Sequence, residues 1–117
     1  MNMLVEPNGG HGAEPCSHKI ALEWIKTVFQ ARVPENADTQ NGPAKLMALD
    51  VTKGWLGSND AMAKGHEQPG FDENFKNGRP SIAPYADYTG DKSTASFLPT
   101  ERFAKKWQEY VETGDLK

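Results

Sequence analysis

The chain has 117 residues, 37% of them hydrophobic, with a mean hydropathy of -0.71, a net charge of -3 and a pI near 5.6. That allows at most one domain with little core-forming material, and it offers no electrostatic reason for a nucleic-acid or anionic-membrane partner. One cysteine, Cys16, excludes an intrachain disulfide and a multi-cysteine zinc site, and no apolar run approaches the ~18 residues of a membrane span.

In chain order, residues 2–6 suit a short buried strand, with Met3, Leu4 and Val5 in succession. Their lack of a basic start and a long apolar run gives the expectation of no signal peptide. Residues 7–16 are turn material, and glycine at three of the four positions Gly9, Gly10, His11 and Gly12 lets the backbone turn sharply around one histidine. A helix is predicted from about Ser17 to Arg32. Ile20, Ala21, Trp24, Ile25, Val28 and Phe29 recur at spacings of three and four and make one wide apolar face, with Trp24 and Phe29 expected in the core. Ser17 is its expected N-cap and Pro34 its stop.

The middle, residues 35–99, is poorly patterned. From Pro34 to Pro99 six prolines and seven glycines punctuate it. Only 45–51 reads as an element, a strand with Leu46, Ala48 or Leu49 inward. A loop this long is uncommon in a compact domain, so the region is expected to be mobile or draped over a surface from another part of a protein. Trp55, Phe71, Phe75, Tyr85, Tyr88 and Phe97 then serve as its anchors. A second helix occupies 100–117. Thr100 is its N-cap, Glu101 suits the positive helix start, Phe103, Trp107, Tyr110 and Val111 form a stripe, and Gly114 fits the position after the last turn.

The chemistry-bearing residues are few. His11, held by glycines at the end of a strand, is placed to protrude into a site, and imidazole moves protons near neutral pH. Cys16 lies five residues from it across Pro15, a poor separation for a Cys–His pair. His11, His18 and Glu6 or Glu14 match no zinc spacing, and Asp60, Asp72 and Glu73 match no calcium loop. His66 sits in a polar loop. The glycine run lacks the Lys-Ser/Thr ending of a phosphate loop. No metal or cofactor is expected.

Strand, Gly9-Gly10-His11-Gly12, short loop and a helix of form Ala-Leu-Glu-Trp-Ile together resemble the C-terminal end of an α/β-hydrolase domain, over residues 2–34. In that family the triad histidine follows the last strand, and the last helix packs back on the sheet. The family's chain order is nucleophile, acid, histidine. The resemblance implies an α/β fragment with one or two strands, and a catalytic role for His11 alone. No Gly-x-Ser-x-Gly frame surrounds Ser17, Ser58, Ser81, Ser93 or Ser96, and no aspartate precedes His11. Residues 53–113, with Gly54-Trp55-Leu56-Gly57, Ile82-Ala83-Pro84-Tyr85 and Ser96-Phe97-Leu98-Pro99, resemble an extension that follows some such domains.

The expectation is therefore the C-terminal segment of a serine-type hydrolase, divided at 1–34, 35–99 and 100–117 and inactive alone. Its partners would be an upstream hydrolase half and a small ester, thioester or amide substrate. The rival is a small protein-binding module that packs Trp24 and Trp107 faces together and presents an aromatic-rich surface.

Overall fold

A computed structural model of the chain describes residues 17–38, 40–60 and 78–117. The expected strand at 2–6, the Gly9–Gly12 run with His11, and Cys16, His66, Phe71 and Phe75 lie outside the described residues. The architecture is mixed: helix α1 (Ser17–Arg32), a 3-10 turn (Val51–Lys53), strands β1 (Trp55–Gly57), β2 (Ile82–Pro84) and β3 (Ser96–Leu98), and helix α2 (Glu101–Thr113).

Helix α2 organises the core. Thr100 is extended, with φ -139° and ψ 159°, and its hydroxyl oxygen accepts the Phe103 N–H at 3.1 Å. This satisfies one of the donors that the first turn leaves without an intrahelical acceptor. Gly114 closes the other end in the left-handed region, φ 78°, donating its N–H to the Tyr110 carbonyl at 2.7 Å. Between the caps, Phe103, Ala104, Trp107, Tyr110 and Val111 are buried on one stripe, as their spacing predicts.

The stripe packs against a three-stranded antiparallel sheet of order β2-β1-β3. Trp55 pairs with Pro84 and Leu98, Leu56 with Ala83 and Phe97, and Gly57 with Ile82 and Ser96. Paired residues share a face. Trp55, Ile82 and Leu98 therefore point with Gly57 toward the helix, and join the cluster around Trp107 and Tyr110. Gly57 is obligatory in shape: a Cβ there would lie 2.5 and 2.8 Å from ring carbons of Trp107 and 3.0 Å from a methyl of Leu98. Arg79 donates to Gln108 at 2.8 Å and pairs with Glu112, and Gln108 donates to the Pro80 carbonyl at 2.7 Å. These contacts tie the approach to β2 onto α2.

Three expectations change, two of them in the middle region. The strand predicted at 45–51 does not form: residues 43–50 have no regular structure, and Val51–Lys53 is a 3-10 turn capped by Asp50. That stretch is aligned instead by one backbone bond, the Met47 N–H to the Arg32 carbonyl at 2.7 Å. Three strands appear in the expected loop-rich extension, where one or two were expected for the whole fragment. Each is three residues long, too short for an alternation to be read. Finally, Ser17 is the first residue of α1 rather than the cap before it.

Helix α1 lies across α2. Ile20 is fully buried, and Trp24 meets Phe103 edge-on with ring centroids 5.3 Å apart. Lys106 pairs with Glu23 at 2.9 Å and Lys19 with Asp115 at 2.5 Å. Phe29, expected in the core, and Ile25, read on the same apolar face, are exposed. The spacing reading merged two faces of the helix into one. Ile20 and Trp24 form the inner face, while Phe29 and Ile25 stand with Leu22 on the other side.

Candidate functional site

The outward face of α1 carries the most exposed large hydrophobic side chains among the described residues. At 100° per residue, Leu22, Ile25 and Phe29 fall on one line at spacings of three and four, the arrangement of a helix face that expects a partner surface. They are 50%, 59% and 62% exposed. Ala21 on the same side is exposed and Val28 half-buried, which widens the face. Arg32, the last residue of α1, is bonded to a segment that carries a second exposed apolar group. Met47 is held to Arg32 by two bonds, its N–H to the Arg32 carbonyl at 2.7 Å and its own carbonyl to the Arg32 Nε at 3.1 Å, and Leu46 and Met47 both stand in solvent. Among the described residues every large hydrophobic that stands exposed lies between Leu22 and Val51. Scattered exposed apolar residues are ordinary on a protein surface; here they are concentrated on one helix and the strap bonded to its end, which makes this face the candidate interaction surface.

The electrostatics of α1 keep the two faces distinct. Its acidic residue, Glu23, is directed inward to Lys106, whose hydrogen bond lowers the Glu23 pKa below the ordinary glutamate value, with Lys26 and Arg102 adding to the effect. The outward face carries no carboxylate. His18, exposed at the first turn, and Lys26, exposed beside Ile25, border it.

The hydroxyl and acidic residues weighed in the sequence do not assemble into a catalytic group among the described residues. Ser96 is fully buried and donates to the Asn59 side-chain carbonyl at 2.8 Å. Ser93 donates to its neighbour Asp91 at 2.6 Å within one turn. Ser58 and Ser81 border an open groove of about 730 Å³ at the edge of the sheet, with Asp60, Asp87, Tyr88 and Asp91. No group of three histidine, cysteine, aspartate or glutamate side chains among the described residues could hold a metal ion. No helix among them is long and apolar enough to cross a membrane.

His11, the catalytic candidate, is not among the described residues, so its surroundings are not part of this geometry. What the structure adds lies next to it in sequence: α1 begins six residues later and carries the uncovered face. Leu22 was missed in the sequence although its signal was present, because Leu22, Ile25 and Phe29 make a second series offset from Ile20 and Trp24. Comparison with protein-family models, with curated proteins and with solved structures finds no match for this chain.

Proposed function

We propose that this chain is the C-terminal segment of a serine-type α/β-hydrolase and contributes the triad histidine, His11, to hydrolysis of an ester, thioester or amide. In this reading His11 takes the proton from a serine hydroxyl as that oxygen attacks the substrate carbonyl, then returns it to the leaving group. The serine, the oxyanion donors and the carboxylate that orients the imidazole belong to the upstream half. The reading rests on the resemblance of residues 2–34 to the end of such a domain. The observation that supports it most is the apolar face of α1. A helix that already buries one face on α2 carries a second apolar face, exposed at Leu22, Ile25 and Phe29 and left without a packing surface in the described residues.

The test joins the chain to the coding sequence read upstream of Met1. The chain alone should hydrolyse p-nitrophenyl esters no faster than its own His11→Ala variant, because loss of one triad member costs several orders of magnitude. In the joined protein His11→Ala should lower the rate by about a thousandfold or more, and His18→Ala and His66→Ala by less than about tenfold. An upstream frame without Gly-x-Ser-x-Gly, or an active joined protein that tolerates His11→Ala, would sink the assignment.

A second reading, a non-catalytic protein-binding module, is favoured by one observation. The sheet and α2 bury a core of their own, with Leu98, Trp107, Tyr110 and Val111 almost wholly enclosed. In that case the α1 face would receive a protein partner, and no variant of His11 would affect any hydrolysis.

A further inference from the structure

Three asparagines lie among the described residues, Asn36, Asn41 and Asn59, and the structure treats them differently. Conversion of an asparagine to a carboxylate proceeds through the backbone nitrogen of the next residue, so the state of that nitrogen decides the rate. After Asn36, the Ala37 N–H is engaged with the Pro34 carbonyl at 3.1 Å, and a methyl group stands on the following Cα. After Asn59, the Asp60 N–H is held by the Ser58 hydroxyl at 3.2 Å. The Asn59 side chain is itself fixed at both ends, donating to the Thr94 carbonyl at 2.8 Å and accepting from Ser96 at 2.8 Å. After Asn41 comes Gly42. Its N–H has no acceptor among the described residues, its φ is +126°, and nothing lies within 4 Å of where a Cβ would be. Residues 40–43 are all exposed. Glycine supplies the backbone freedom that closing a five-membered ring between neighbouring residues demands.

We infer that Asn41 is a site of spontaneous, age-dependent deamidation, the one among the described asparagines that the fold leaves open to it. Base removes the Gly42 amide proton, and the nitrogen bonds to Cγ of Asn41. The Cγ–Nδ2 bond breaks, and Nδ2 leaves with a proton as ammonia. Water then opens the cyclic imide at either carbonyl, giving a normal or an isoaspartyl linkage; the balance is one water consumed and one ammonia released. The change matters locally because the Asn41 amide now donates to the Asp38 carboxylate at 2.7 Å and, with the Gln40 N–H, holds that carboxyl below the ordinary aspartate range. Deamidation removes this donor and sets a second negative charge beside Asp38, in the segment that joins α1 to the sheet.

The test is incubation of the folded chain in mildly alkaline buffer, with tandem mass spectrometry of the peptides. Asn36 and Asn41 fall in one tryptic peptide, 33–45, so they are compared within the same ion. The pairs Asn8-Gly9 and Asn77-Gly78 report on separate peptides and do not interfere. Asn41 should gain one mass unit at least about tenfold faster than Asn36 and Asn59, with an isoaspartyl product present. In the Asn41→Gln variant, which forms the ring far less readily, the same peptide should stay unchanged. Equal rates at Asn36 and Asn41, or an intact Asn41 where Asn59 has been converted, would overturn the proposal.

Discussion

Gly57 shows how a single residue can fix the distance between two layers. The space its side chain would take is filled by the Trp107 ring and a Leu98 methyl. Gly57→Ala should therefore force the ring or the strand aside and cost about 1–3 kcal/mol, the usual penalty for overfilling a packed site. Chemical denaturation checks this, and an unchanged midpoint would mean that Trp107 can yield freely. Glu23 acts at the same scale through charge. Folding lowers its pKa, chiefly through the Lys106 hydrogen bond. Its contribution is therefore in place at neutral pH, above the ordinary glutamate value, and is lost as the pH falls through that value toward the lower folded one. Acid titration of thermal stability should show this loss, and Glu23→Gln should flatten that part of the profile. An unaltered profile in the variant would show that the pair does not couple α1 to α2. Neither Gly57 nor the Glu23 pairing was legible in the sequence, because in each case the partner lies on a distant element.

At the scale of elements, the two helices were legible and their roles only partly so. Helix α2 matches its sequence reading from the Thr100 cap through the Phe103, Trp107, Tyr110 and Val111 stripe to Gly114, since caps and a single face are local properties. Helix α1 has the predicted span, but periodicity alone did not say which of its apolar residues face the core. Variants separate its faces. Trp24→Ala, on the inner face, should cost about 2–4 kcal/mol by leaving Phe103 without its neighbour. Phe29→Gln, on the outer face, should change the stability of the isolated chain by no more than about 0.5 kcal/mol. Under the proposed assignment, the same Phe29→Gln change in the joined protein, together with Ile25→Gln, should weaken assembly or folding of the whole. A large destabilisation of the isolated chain by Phe29→Gln would mean that the outer face is already covered.

For the molecule as a whole, the order of stability should follow the core. Amide exchange should be slowest in α2 and in β1 and β3, where Leu56, Leu98, Trp107 and Tyr110 are buried, and fast through 43–50, where residues are largely exposed. This differentiates a middle region that was expected to be mobile or draped over another surface, and equal exchange in β1 and in 43–50 would contradict it. Composition and local pattern by themselves determined the size class, both helices, the caps of α2 and the prominence of His11 in its glycine run, because each depends on residues within a few positions of one another. Only the tertiary structure decided the sheet, the outward turn of Leu22, Ile25 and Phe29, and the protection of Asn59 relative to Asn41. Trp55 finds its partners at Pro84 and Leu98, far along the chain, and strands of three residues carry too little alternation to announce themselves before they pair.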